Sequence, residues 1–266
     1  MSVPTNRSEP RQPVFLVSTG RTGTKFFATF FERCAEGVAV RHITPGTRRQ
    51  NILNSMSAVG LLPQGVADAW LKRNTVPRVR QEDRRWIECN LYYFNSLTAL
   101  RQHFPDARFV HVIRHPKDFC QSHIRWERQR LQSRIANQLV PFWAPVGYHE
   151  ELLGLLGQDH QRVRYYAKVW ARRNTVILRQ LAADPTTITI RFEDIFESPQ
   201  GAERLAGLLR DLGMQATTPV NATLLSRRVN ETSATRGAPR WDSRCDSFLR
   251  RYCGALMERF GYILDG

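Results

Sequence analysis

Residues 13–32 read PVFLVSTGRTGTKFFATFFE. Val14 to Val17 is an unbroken apolar run, Ser18 to Lys25 is a short polar loop holding Gly20 and Gly23, and apolar residues then recur at Phe26, Phe27, Phe30, Phe31 and Cys34. That order spells buried strand, tight turn and amphipathic helix. A glycine turn that runs into a helix N-terminus aims free backbone N–H groups at one point, where the helix dipole adds partial positive charge. With Arg21 and Lys25 in the same turn, the loop is a candidate cradle for a phosphate-like anion. The glycines by themselves allow a plainer reading, because any strand-to-helix junction can need glycine for its backbone angles. The loop departs from the nucleotide-hydrolase pattern G-x-x-x-x-G-K-[ST]: Lys25 follows Thr24, and Phe26 stands where a magnesium-binding hydroxyl belongs. A magnesium nucleotide is therefore not expected.

Outward from this stretch, strand and helix patterns alternate. Gly37 to Val40 followed by Arg41 and His42 predicts a second strand, and a helix is expected around Val66 to Arg73. Arg85 to Cys89 reads as a third strand, with Ser96 as N-cap of a helix carrying Leu97, Leu100 and Phe104. Ala107 to Ile113 is a run of β-formers that ends in Arg114, His115 and Pro116, and Pro116 suits the first turn of the helix that follows. A long helix is predicted over Tyr165 to Leu181 and a fifth strand over Thr187 to Phe192; Ser198 and Pro199 then open a helix with Leu205, Leu208, Leu209 and Leu212. Residues 47–84 and 128–149 are the least regular stretches. The alternation predicts one α/β domain, a mainly parallel sheet of about five strands covered by helices on both faces, with ligands at the carboxyl ends of the strands.

At 266 residues the chain is long enough for one sizeable core. Its net charge is +15, carried by 35 Arg against 4 Lys, and guanidinium is the group that grips phosphate and sulfate bidentately. Nucleic acid, a membrane surface and an anionic small ligand are all admissible partners at this charge. Cys34, Cys89, Cys120, Cys245 and Cys253 are odd in number, with no C-x-x-C spacing, so neither a disulfide framework nor a zinc site is suggested. The polar N-terminus and the absence of any run near ~18 apolar residues predict a cytoplasmic protein without a membrane span, with residues 1–12 as a loose tail.

The loop after the first strand, Arg114 after the fourth and Phe192-Glu193-Asp194 after the fifth fall on one carboxyl edge. Arg114 and Ser122 set a guanidinium at a strand end and a hydroxyl about two turns along the next helix, a pair able to hold a second anion from two sides. The residues alone leave open that Arg114 pairs with Asp118 and that Ser122 is incidental.

These segments resemble a known family. Ser18 to Thr24, with its apolar strand, resembles the 5′-phosphosulfate loop of sulfotransferases that use 3′-phosphoadenosine 5′-phosphosulfate (PAPS), whose pattern is basic-Ser/Thr-Gly-Thr. Phe109 to Asp118, continuing to Ser122, is similar to the family's 3′-phosphate motif, including the Arg-to-Ser spacing. Phe192-Glu193-Asp194-Ile195 resembles the Tyr-Glu-Asp-Leu element that closes the fifth strand, and Trp241 with Phe260-Gly261-Tyr262 resembles the C-terminal pattern. The four occur in family order over nearly the whole chain. On them the chain is identified as a member of the PAPS-dependent sulfotransferases, closer to the carbohydrate- and protein-modifying branches and to bacterial members.

The resemblance implies a P-loop-like phosphosulfate loop after the first strand, in a sulfotransferase domain spanning residues 13–266. PAPS would be the donor and PAP the product, with no metal and no nucleic acid. The acceptor would be a hydroxyl or amine of a carbohydrate or small metabolite. Position by position, Arg21, Thr22, Gly23 and Thr24 would hold the 5′-phosphosulfate, and Arg114 with Ser122 the 3′-phosphate. Phe26 and Phe192 would lie near the adenine, and Arg236 with Gly237 would return to the 3′-phosphate. Lys25 stands where many members have Thr and adds a cation; Arg21 replaces the Lys of the small-molecule branch.

In sulfuryl transfer a neutral SO₃-like group passes in line to the acceptor while negative charge builds on the departing oxygen, and Arg21, Lys25 and helix N–H groups are placed to stabilise it. The acceptor hydroxyl needs a base. His42 ends the second strand in a region where several branches place theirs, and an unperturbed imidazole titrates near neutrality; a capping or surface histidine is the plain alternative. Glu88 is the second candidate, since Asn90 stands where the small-molecule branch has its catalytic His, and Glu88 could equally anchor a loop or substrate. A non-catalytic nucleic-acid binder competes as a reading of the charge, but it leaves the Arg114 to Ser122 spacing as coincidence.

Overall fold

The computed structural model describes residues 12–58, 60–129, 158–182, 184–221, 225 and 239–264. Five parallel strands form one sheet in the order β2-β3-β1-β4-β5: β1 (Val14–Ser18), β2 (Val38–His42), β3 (Arg85–Cys89), β4 (Arg108–Ile113) and β5 (Ile188–Arg191). The helices are α1 (Thr24–Cys34), α2 (Thr47–Ala58), α3 (Gln64–Asn74), α4 (Val76–Gln81), α5 (Leu97–His103), α6 (Pro116–Gln129), α7 (Asp159–Leu181), α8 (Phe192–Phe196), α9 (Gly201–Asp211) and α10 (Ser243–Arg259), with a 3₁₀ turn at Leu91–Asn95.

β1 is central, and its alternate residues serve two cores. Val14 and Leu16 pack with Phe27, Phe30 and Phe31 of α1 and with Leu205, Leu208 and Leu209 of α9. Phe15 and Val17 face Tyr93, Phe94, Leu100, Phe109 and Ile177 on the other side. Burial on both faces explains why the strand reads as a continuous apolar run rather than an alternating one. A third cluster joins Ile113, Phe119 and Ile124 to Val163, Tyr166 and Trp170 of α7 and to Cys245, Leu249, Cys253 and Met257 of α10. All five cysteines are free and buried.

The registers Ser18↔Val112, His42↔Cys89 and Ile113↔Arg191 align the strand ends, so the segments after β1, β2, β3, β4 and β5 share one edge. β1 lies between β3 and β4; the chain runs from β1 to β2 on one side and later crosses from β3 to β4 on the other, which makes this edge a topological switch point.

Three local expectations are corrected. β5 stops at Arg191 and Phe192 begins a helical turn, because Phe192 turns out of the sheet to stack on Phe196. Ser96 occupies the N-cap position of α5 as expected, but its hydroxyl makes no cap hydrogen bond and accepts instead from Asn54 Nδ2. α7 starts six residues before Tyr165, at Asp159, where Gln158 and Gln161 form a reciprocal capping box. Among the described residues no helix is long and apolar enough to cross a membrane.

Candidate active site

The turn between β1 and α1 is built from left-handed backbone. Gly20 has φ 93°, Arg21 56° and Gly23 76°. A side-chain-bearing residue there stores strain of ~1–3 kcal/mol, which its surroundings must offset. Arg21 is held twice: its Nε donates to Ser122 Oγ at 3.0 Å, and its carbonyl accepts from Arg114 Nη1 at 3.0 Å. Ser18 Oγ accepts from the Gly20 N–H at 3.1 Å. Gly23 needs to be glycine for space as well as angle, since a Cβ would lie 3.2 Å from Phe196 Cζ and 3.5 Å from Phe192 Cε2. No side chain caps α1 and its first turn carries no carboxylate, so its leading N–H groups face the loop. The Thr19 and Thr22 hydroxyls are buried without a hydrogen-bond partner among the described residues.

The structure brings Arg21, Arg114 and Ser122 into one network, though Ser122 joins Arg21 rather than Arg114 directly. The Arg114 guanidinium lies 4.3 Å over the Phe192 ring, and Trp170 Nε1 donates to the Arg114 carbonyl at 2.8 Å. Burial lowers the pKa of Arg114, while Asp118, Glu193 and Glu197 act in the opposite direction. Asp118 is therefore an electrostatic neighbour, and the guanidinium's hydrogen bond goes to the loop. Phe192 stacks on Phe196 at 4.3 Å, and Phe196 meets Phe26 edge-on at 4.7 Å. The two aromatics singled out in the sequence thus share one cluster, whose link, Phe196, the sequence reading missed. Glu193 accepts from the His115 N–H at 2.7 Å and from Tyr262 OH at 2.8 Å, which ties the C-terminal Phe-Gly-Tyr segment to the end of β4.

His42 ends β2 with Nε2 3.1 Å from Thr24 Oγ1, next to the loop. Its exposed ring is still partly desolvated; that burial, and secondly the charge of Lys25, lower its pKa below 6.5. Lys25 itself is exposed on the first turn of α1. Glu88, by contrast, is fully buried. Its Oε1 accepts from the Thr44 N–H (3.2 Å) and Asn90 Nδ2 (2.9 Å), and its Oε2 from Tyr93 OH (3.2 Å). The carboxylate joins the turn after β2 to the segment after β3.

Arg173 of α7 was not singled out by the sequence, yet its Nη1 donates to the Thr19 carbonyl at 2.9 Å and its guanidinium lies 5.1 Å from the Phe94 ring centroid. The available signal was its register: Arg173 falls on the helix face of Val169, Trp170 and Ile177, where an apolar residue is the default. Arg236 and Gly237, most of the 128–149 segment and nearly all of the 1–12 tail lie outside the described residues. Among the described residues no cluster of His, Cys, Asp or Glu is arranged to hold a metal ion.

The sequence profile of the sulfotransferase family matches residues 39–218, a span that begins after the glycine loop. A search of the curated proteins finds no match. Among solved structures, the sulfotransferase domain of an olefin synthase from Synechococcus PCC 7002 is similar over 98% of both chains, at 17% identity and a TM-score of 0.52. A sulfotransferase from Alicyclobacillus acidocaldarius aligns over 96% of this chain and 98% of its own, at 13% identity and a TM-score of 0.49. A mouse sulfotransferase complexed with PAP aligns over 82% of this chain and 65% of its own, at 15% identity and a TM-score of 0.48. With a family profile covering more than half of its length and a five-stranded parallel sheet of the same fold, the chain belongs to the sulfotransferase family.

Proposed function

We propose that the protein transfers a sulfuryl group from PAPS to a hydroxyl or amine of a carbohydrate or small metabolite, as a cytoplasmic enzyme whose catalytic domain spans residues 13–266. The observation that carries this reading is a convergence at one sheet edge: an uncapped helix start, a left-handed glycine loop and the cations Arg21, Lys25 and Arg114. The residues fit a donor with two anionic ends. Thr22 offers a buried hydroxyl without a hydrogen-bond partner among the described residues beside the α1 N–H groups, Arg114 and Ser122 both contact Arg21 of the same loop, and Phe192 lies against Arg114 and packs through Phe196 on the buried Phe26.

When bound, the donor supplies an SO₃-like group on a phosphate oxygen. Arg21, Lys25 and the first N–H groups of α1 stabilise the charge that collects on that oxygen. His42, whose lowered pKa keeps it neutral at physiological pH, takes the acceptor proton. In the tautomer whose Nε2–H donates to Thr24 Oγ1, Nδ1 is the nitrogen left to take that proton. Glu88 acts by holding the His42 to Thr44 turn in place.

Thermal-shift titration tests the reading: PAP should stabilise the protein, and magnesium-ATP and a DNA oligonucleotide should not. Stabilisation by the oligonucleotide with none from PAP would establish the nucleic-acid reading in its place.

A further inference from the structure

Two arginines from distant elements hold the two carbonyls that flank Gly20. Arg114, at the end of β4, donates to the Arg21 carbonyl at 3.0 Å; Arg173, near the middle of α7, donates to the Thr19 carbonyl at 2.9 Å. A loop that presents its N–H groups to an anion must turn its carbonyl oxygens elsewhere, and those oxygens are the negative ends of the same peptide dipoles. Arg173 is only 8% exposed, although it stands on a helix face that is otherwise apolar. Burying a guanidinium at such a position is costly, and a leucine would fill the face without that cost. Its stacking on Phe94 fixes the plane of the fork, and the hydrogen bond to Thr19 gives the fork its task. Burial lowers the pKa of Arg173; burial first, and then the charges of Arg21, Arg173 and Arg114, lower that of the neighbouring His123. The three guanidiniums therefore converge on one region.

We infer that Arg173 is a positioning residue for the phosphosulfate loop: it fixes the Thr19 carbonyl as Arg114 fixes that of Arg21, so that the Thr19–Gly20 peptide, whose N–H is held by Ser18 Oγ, stays anchored and the N–H groups after Arg21 stay turned toward the 5′ end of the donor. This rests on the donor reading above. Arg114 is expected to touch the nucleotide, whereas Arg173 acts through the backbone.

Calorimetric titration of the full chain with PAP, adenosine 5′-monophosphate and adenosine 3′-monophosphate tests it, with wild type, Arg173→Met and Arg173→Lys. Arg173→Met should weaken PAP and the 5′-monophosphate by about 30-fold, leave the 3′-monophosphate within about threefold, and speed amide exchange at Gly20 to Gly23. Arg173→Lys, which can reach the carbonyl with one donor, should recover part of the loss and serves as the variant if Met does not fold. Equal losses for the 5′ and 3′ monophosphates, or PAP affinity within twofold of wild type, overturn the inference. Absence of PAP binding by the wild type overturns the donor reading itself.

Discussion

Replacing Arg114 by alanine is the sharpest test of the 3′ end of the site. In the free protein the guanidinium makes a charge-assisted hydrogen bond to the Arg21 carbonyl and stacks on Phe192. Those contacts are worth ~1.5–3 and ~0.5–2 kcal/mol respectively. Removing a desolvated cation also relieves several kcal/mol of burial cost, so the net loss of stability should be only about 1–2 kcal/mol. Ligand binding has no such offset. Losing one partner of a desolvated ionic contact costs ~1.5–3 kcal/mol, or about 10- to 150-fold in the dissociation constant for PAP. Arg128 provides the control: it pairs with Asp159 at the surface, and exposed pairs are worth ~0–1 kcal/mol. Titration calorimetry at fixed ionic strength reads both variants. Arg114→Lys should remain weaker than wild type, because an ammonium cannot hold a carbonyl and a phosphate with one planar fork. If Arg114→Ala and Arg128→Ala weaken PAP by the same factor, Arg114 is not a 3′-phosphate ligand.

Gly23→Ala forces an L-residue to φ 76° and a Cβ to 3.2 Å from Phe196, so it should cost about 2 kcal/mol in chemical denaturation and weaken PAP at least tenfold; unchanged PAP affinity would mean that the loop does not bind the donor. His42→Ala should lower turnover by ~10²-fold with PAP affinity nearly unchanged, and Glu88→Gln should affect acceptor affinity more than turnover; the reverse pattern would exchange the two assignments. The acid limb of the wild-type rate profile should fall below pH 6.5 and move upward in Lys25→Met, which removes one of the two causes that lower the pKa of His42. His111 is buried on β4 beside Asn174, and burial lowers its pKa to about 4. The unfolded chain takes up this proton near pH 6.5 and the folded chain only near 4, so the stability is fully present above 6.5 and declines by about 3 kcal/mol as the pH falls through that window. Urea unfolding of His111→Gln at pH 7 and 4.5 should show a smaller difference between the two than wild type, and an equal difference would reject this origin.

The sheet was legible in the sequence because its signals are local. Val14 to Val17, Arg85 to Cys89 and Ala107 to Ile113 carry β-formers over the length of a strand, and each is followed by a turn and a 3.6-residue apolar pattern. α2 was not legible, since its buried face is polar: Gln50 and Asn54 hydrogen-bond each other, Ala67 and Ser96, partners that exist only after folding.

For the site, residue type and spacing made the glycine loop, Arg114 and Ser122 candidates, and it was the resemblance to the family that chose among the readings they left open. Which groups touch was decided by the tertiary structure. Ser122 binds Arg21 because α6 passes over the loop, and Glu88 became an anchor with three donors because the turn after β2 and the segment after β3 meet at its carboxylate. Arg173 reaches Thr19 across 154 positions of sequence. A local pattern reports what a residue can do; the partner it does it with depends on parallel pairing and helix packing, which bring distant segments to one edge and leave no trace in the spacing of either.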